Sequence, residues 1–490
     1  MTPRLRHLAD ALRRADLLVS AAEGDPTLTA LTEDSRKAGP GTLFLAVRGT
    51  QADGHAFAPA AVAAGAAALV VERPLGLGVP ELVVRDGRLA ALALARAWYG
   101  DPARQLTLIG VTGTNGKTTT TNIVRHLFNA AHDAAVIGTI GAFDGRGERV
   151  ASTAGSLTTP GPVDLQATFA ALRDRGVRTV AMETSSHALD QGRLDGLSFG
   201  AGLFTNLTHE HLDYHRTVEH YFAAKAKLTG LLGLDGVAIT NADDPAWDAL
   251  PALPPGRRLS FGVTRPADVR AEEVASDASG TSFVLRSRWG VAEVRIPLIG
   301  DFNLSNALGA AAAALALGRP LDEVVARLAG APQVPGRMEI LHGGEFTVLR
   351  DYMHTPDAYE RVLATLRPLT RGRLVVLFGC GGDRDRAKRP EMGRIAAERA
   401  DLVCLTTDNP RTEDPERIVA DIVAGIPGGG GEKVVRIPDR EEAIHAMVAL
   451  LRPGDTLLLA GKGHETYQIY GREKVPFDEP SIVRDAVGRR

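Results

Sequence analysis

Short apolar runs recur along the chain, and between them apolar residues return every three or four positions. The runs LFLAV (43–47) and ALVVE (68–72) flank a helical pattern at 57–65. VIGTI (136–140), TVAMET (179–184), AGLFTNL (201–207) and GVAITNADD (236–244) each follow a helical stretch. The same alternation returns at 374–378, 402–406, 434–437 and 456–460. Strands alternating with helices predict doubly wound, mostly parallel α/β sheets. Residues 268–298 differ: SFVLRSR and AEVRIPL alternate apolar with polar positions, which predicts a small antiparallel insert. ALGAAAAALAL (307–317) is too short to span a membrane and reads as a buried helix. The opening MTPRLRHLADALRRADLL sets arginines among leucines and reads as an amphipathic helix, not a signal peptide. IPGGGGEK (426–433) reads as a surface loop, and no short-period repeat is present.

At 490 residues the chain is too long for one core. The breaks at DPARQ and at VPGR place three domains at 1–104, 105–333 and 334–490. A net charge of −3 and only 5% aromatic residues argue against nucleic-acid binding. Cys380 and Cys404 cannot form a disulfide framework, so a cytoplasmic protein with two buried thiols is expected. A membrane association is not expected, and a monomer is.

The chemistry begins at LIGVTGTNGKTTT (108–120). An apolar strand runs into a glycine loop, and Lys117 and Thr118 open a helix. Backbone N–H groups at a helix start bind phosphate oxygens, and glycines allow close approach. Gly113, Thr114, Asn115, Gly116, Lys117, Thr118 and Thr119 are therefore expected to hold a nucleoside triphosphate, with the Thr118 hydroxyl on Mg²⁺. The general phosphate-loop pattern would put glycine at 111, where Val111 stands, which argues against an ordinary ATPase or GTPase. Glu183 ends the strand TVAMET, where ligands of open α/β sheets sit, and is a candidate Mg²⁺ partner beside a helix-capping Ser185. His209, His211 and His215 lack the accompaniments of a zinc site, so a single histidine near Mg²⁺ or substrate is favoured. Asn241 and Asp244 lack the lysine of a guanine-reading motif, where Ala242 stands.

GTNGKTTT resembles the ATP loop of the Mur ligases and of folylpolyglutamate synthetase, both of which join an amine to a carboxylate with ATP. Further motifs extend the likeness. HLDYH resembles the Mur ligase segment whose histidine, here His211, binds a second Mg²⁺. The Y-x-x-A-K of YFAAKAKL places the family's carbamylated lysine at Lys225, an N6-carboxylysine able to hold metal. GDFNLSNAL implies Asn303 and Asn306 on the adenine side. PGRME and RDYMHTPDAY imply that Arg337, Asp351 and His354 serve ATP, with Met353 where the family has alanine.

The likeness narrows at the two ends. Residues 31–57 resemble the UDP-binding domain of the Mur ligases that add the third peptide residue, which folylpolyglutamate synthetases lack. Ser35, Thr50, Gln51 and Ala52 would meet the uridine diphosphate. Thr158, Thr159, Ser185, Gln191 and Arg193 would hold the muramoyl dipeptide, and Leu157 replaces a common asparagine. GCGGDRDRAKRPEMG, TDNPRTEDP and GKGHE imply an amino-acid pocket from Arg384, Asp408, Asn409, Pro410, Arg411, Gly461 and Glu465. In the D-N-P-R form the arginine suits the distal carboxylate of meso-diaminopimelate. The resemblance thus implies ATP and Mg²⁺ as cofactors and a UDP-muramoyl dipeptide and a diamino acid as substrates. Lys117, Lys225 and His211 carry the chemistry. L-Lysine or L-ornithine as the added residue, folylpolyglutamate synthesis and a phosphate-loop switch are the alternatives.

Overall fold

Most of the apolar runs form strands buried on both faces, as in sheets covered by helices, whereas Val434–Arg436 is only partly buried. The computed structural model describes residues 4–49, 52–150, 157–277 and 279–490. It contains two compact units: Met1–Ala271, Leu285–Val291 and Ser305–Arg327 form one, and Glu272–Val284, Ala292–Leu304 and Leu328–Arg490 the other.

The first unit opens on the helix Leu5–Arg14, whose Leu5, Leu8, Ala9 and Leu12 turn inward. A five-stranded sheet follows in the order Leu18–Ala21, Glu81–Val84, Ala68–Val71, Thr42–Leu45 and Ala30–Thr32. Leu18–Ala21 runs antiparallel to its neighbour and the others run parallel. The sequence pattern exposed only two of these strands; of the other three, Leu18–Ala21 and Ala30–Thr32 carry exposed or half-buried positions that break the apolar run. The helix Gly87–Tyr99 packs its buried Ala90, Ala91, Leu94 and Ala95 over this sheet, in a cluster that also includes Val163.

The strand Thr107–Thr112 lies inside a ten-stranded sheet, between Phe199–Phe204 and Thr179–Glu183, and parallel to both. Ala134–Gly138 follows Thr179–Glu183, and Leu232–Asn241 follows Phe199–Phe204. Successive crossovers therefore leave on opposite sides of Thr107–Thr112, the arrangement that opens a ligand crevice at the strands' carboxyl ends. Residues 268–298 form three strands, Val269–Asp277, Gly280–Ser287 and Gly290–Ile296, which lie side by side at one end of the sheet. Val269 pairs parallel with Phe261 at the end of Arg258–Gly262, so the alternating segment extends the sheet. The Ala-rich run lies in the helix Asp301–Ala316, with Ala307, Leu308 and Ala310 to Ala314 fully buried.

The second unit holds a six-stranded sheet in the order Glu339–His342, Thr347–Asp351, Thr456–Ala460, Leu374–Phe378, Leu402–Leu405 and Val434–Arg436, with Glu339–His342 antiparallel. A two-stranded hairpin, Tyr467–Tyr470 with Glu473–Pro476, follows. Cys380 and Cys404 are buried, and burial pushes both thiols up to about 12, so neither is a nucleophile at neutral pH. Met353 enters the core of this unit beside Leu349 and Leu363. Among the described residues no helix is long and apolar enough to cross a membrane.

Candidate functional site

The phosphate loop hangs between the strand Thr107–Thr112 and the helix Lys117–Phe128. Two of its glycines are required by contact as well as by torsion. At Gly113 (φ +149°) a Cβ would lie 1.8 Å from Thr205 Oγ1, and at Gly116 (φ +86°) one would lie 2.3 Å from Asn306 Oδ1. The loop is stapled to the end of Phe199–Phe204. Thr114 N donates to Asn206 O (2.7 Å), Asn115 N to Asn206 Oδ1 (2.9 Å) and Thr205 Oγ1 to Asn115 O (2.7 Å). Lys117 Nζ folds back onto the carbonyls of Gly113 (2.9 Å) and Thr114 (2.7 Å). Asn306 accepts from Thr120 Oγ1, while Asn303, in the second unit, donates to Ile299 O. Gly113→Ala is expected to cost about 1–3 kcal/mol from left-handed strain and overpacking. Thermal denaturation should show a lower unfolding temperature for that variant, and an unchanged one would remove the packing argument.

Glu183 is 1% exposed at the end of its strand. Its carboxylate accepts from Thr118 Oγ1 (3.0 Å), Thr139 N (2.9 Å) and Thr139 Oγ1 (3.1 Å). A Cβ on Gly138 would come within 2.2 Å of Glu183 Oε1. Among the described residues no lysine or arginine pairs with this buried carboxylate. Ser185 caps the next helix through Ala188 N, so metal candidate and cap coexist here. Thr158 joins through Thr139 Oγ1 (3.1 Å), and Thr159 Oγ1 donates to Glu183 O (2.8 Å). Arg193 donates to Thr159 O (3.0 Å) and to Gln191 Oε1 (2.6 Å), which links the proposed dipeptide contacts to the same strand end.

Lys225 is 1% exposed and donates to Gly113 O at 2.7 Å. Burial, with Lys117 nearby, holds its amine well below the usual lysine range. His211 takes a positive φ of 56° and sits 4.9 Å, ring to ring, from His187. Burial lowers its pKa, opposed by Glu210. His215 is instead buried against Ser186 Oγ (3.0 Å), and His209 is exposed. Asn241 donates to Thr205 O and Asp244 accepts from Leu207 N, so both brace the loops.

In the first unit Ser35 opens a 3₁₀ turn capped by Asp34, and exposed Ala52 accepts from Gly49 N. Thr50 and Gln51 lie outside the described residues. In the second unit Arg337 stacks 4.9 Å over Tyr352, and buried Asp351 accepts from Met338 N (2.7 Å). His354 is exposed, with Nδ1 2.8 Å from Tyr352 O. Asp408, Asn409 and Pro410 are buried, and Arg384 is exposed. Arg411 (φ 52°) donates to Gly382 O at 2.7 Å. Asn409 Nδ2 donates to Glu465 Oε2 at 2.8 Å, and a Cβ on Gly461 would strike Asp408 Oδ2 at 2.4 Å.

Three family profiles match the chain: "Mur ligase family, catalytic domain" at 27–95, "Mur ligase middle domain" at 111–314 and "Mur ligase, glutamate ligase domain" at 336–463. A relative from Synechococcus elongatus, named UDP-N-acetylmuramoyl-L-alanyl-D-glutamate--2,6-diaminopimelate ligase, is 46% identical over 479 residues and covers 95% of both chains. The chain belongs to the Mur ligase family. A relative of the same name from Geobacillus kaustophilus is 45% identical over 475 residues, 95% of this Mur ligase and 96% of that protein. A solved structure also titled as that ligase shares 36% identity at a TM-score of 0.67, covering 94% and 95% of the two chains. The three-domain α/β architecture of this Mur ligase and its ligase class follow from these matches.

Several residues of this Mur ligase's site were not singled out by sequence. Thr139, Asn206, Tyr221 and His187 lie among the candidates, with Tyr221 OH 3.2 Å from Thr114 Oγ1. Thr139 had a local signal, since it follows Gly138 at a strand's carboxyl end. Tyr221, which opens the Y-x-x-A-K segment, meets the loop at Thr114, Asn206 meets it at Thr114 and Asn115, and His187 packs on His211.

Proposed function

We propose that this Mur ligase uses ATP to join an amine of 2,6-diaminopimelate to the D-glutamyl side carboxylate of UDP-N-acetylmuramoyl-L-alanyl-D-glutamate, a peptidoglycan precursor. What carries the reading is identity of 46% along 95% of the chain to a ligase of that name. The γ-phosphoryl group passes to the carboxylate, giving an acyl phosphate and ADP. The amine attacks the acyl carbon, and phosphate leaves as the tetrahedral intermediate collapses. The turned-in Lys117 and the loop N–H groups hold the phosphates in line.

The Glu183 cluster fits Mg²⁺: a buried carboxylate with no basic partner among the described residues, ringed by hydroxyls, is a hard-oxygen donor set. Thr118, Glu183, His211 and Lys225 as its carbamate are the proposed holders, and the cation would neutralise charge on the transferring group. Asn303, Asn306, Arg337, Asp351 and His354 are proposed to serve ATP. Ser35, Thr50, Gln51 and Ala52 are proposed for the uridine diphosphate, and Thr158, Thr159, Ser185, Gln191 and Arg193 for the dipeptide. The protein would act as a cytoplasmic monomer, with domains at 1–104, 105–333 and 334–490.

The amino-acid pocket is assigned to Arg384, Asp408, Asn409, Pro410, Arg411, Gly461 and Glu465. Competing diaminopimelate, L-lysine and L-ornithine in one assay with the UDP-linked dipeptide tests the choice. Diaminopimelate should dominate, and Arg411→Ala should lower its kcat/KM by roughly 10- to 100-fold, the value of a charged hydrogen bond. A preference for lysine or ornithine would overturn the role given to Arg411. Phosphate release that needs no acceptor would overturn the ligase reading.

A further inference from the structure

Lys462, in the GKGHE segment, is fully buried, and nothing in the proposed reaction uses it. Its Nζ donates to Asn409 Oδ1 at 2.8 Å and to Glu465 Oε2 at 3.1 Å, and lies 3.8 Å from Asp408 Oδ1. Asn409 Nδ2 donates to the same Glu465 oxygen at 2.8 Å, and Ile469 N donates to Asn409 Oδ1 at 3.0 Å. Three side chains thus close a triangle. Two donors on Oδ1 fix which way the Asn409 amide faces, and that fixes the bond from Nδ2 to Glu465.

A buried ammonium is costly unless charges and dipoles surround it. Here it is surrounded by the residues proposed to receive the incoming amino acid. With no exposed surface of its own, it can reach a substrate only through them. It also sets the local charge. Asp408 and Glu465 bring two carboxylates to the group, and the Lys462 ammonium offsets part of their charge. Glu465 Oε2 carries both protein donors, while Oε1 takes none among the described residues. A carboxylate oxygen left over in this way suits a substrate ammonium.

We propose that Lys462 is a positioning residue for an amino group of the incoming diamino acid, holding Asn409 and Glu465 in the orientation that receives it. The inference rests on the ligase reading. Its test is steady-state kinetics of the full-length protein with ATP, the UDP-linked dipeptide and diaminopimelate, each varied in turn. Lys462→Met keeps the volume and removes the donor. A misplacement of about 1 Å can cost on the order of 100-fold, so the expected result is a KM for diaminopimelate raised 10- to 100-fold. KM for ATP and for the dipeptide should stay within about twofold of wild type, a split that general loosening of the fold would not give. Lys462→Gln can reach Asn409 or Glu465 but not both, and should raise the diaminopimelate KM by a smaller factor. If Lys462→Met does not fold, Lys462→Gln decides. A diaminopimelate KM unchanged in the variant that folds, or equal rises in all three KM values, would overturn the inference. A wild-type protein that ligates nothing would overturn the ligase reading instead.

Discussion

Replacing Lys117 with alanine is expected to lower ATP-dependent ligation at least ~10³-fold, about 4 kcal/mol of transition-state stabilisation. The side chain is half-buried and turned back over its own loop, within 3 Å of the Gly113 and Thr114 carbonyls. A triphosphate entering the loop would offer the ammonium far stronger acceptors than two neutral carbonyls, so the lysine is held in reserve close to where charge develops. The fold should survive the change. The loop is stapled by Thr205, Asn206 and Asn306, and none of those bonds involves the Lys117 side chain. Phosphate release in the presence of all substrates, with thermal denaturation as the control, checks both halves. Near-normal turnover in a folded variant would remove Lys117 from the chemistry.

The reach of sequence reasoning follows from how local each feature is. The phosphate loop was legible because strand, glycines, lysine and helix start lie within one short segment. Glu183 was legible because a strand's carboxyl end is a general address for ligands. Asn206 and Tyr221 were not singled out, although Tyr221 opens the Y-x-x-A-K segment. Each meets the loop across a long sequence separation, and only the sheet order of Thr107–Thr112 between its two neighbours brings them in. The segment 268–298 shows where periodicity stops. Its alternation was read correctly as strand, but period cannot say which edge a strand will join, and Val269 joined the existing sheet. Lys462 was hidden for a third reason. In sequence it is a lysine between two glycines, and only the return of Asn409 and Glu465 to its ammonium makes it informative.

Lys225→Ala should cost on the order of 10²- to 10³-fold in activity, and small carboxylic acids added to the assay should recover part of it. The argument is electrostatic. Lys225 is enclosed, Lys117 shares the Gly113 carbonyl with it, and two ammonium ions on one acceptor repel. Burial and that repulsion both favour the neutral amine. A neutral amine is the form that adds carbon dioxide, and the carbamate that results replaces one of two clashing cations with an anion. Lys117 then gains a counter-charge, and an oxygen donor faces the phosphate loop. Alanine removes both the amine and the anion derived from it, whereas an acid diffusing into the space restores only the anion. The sign in pH follows from the depressed pKa. The neutral amine is lost as pH falls through its folded value, so activity should drop on that side and return with added bicarbonate. Full activity of Lys225→Ala without any added acid would contradict the carbamate, and a loss that no acid relieves would assign Lys225 to bracing Gly113 alone.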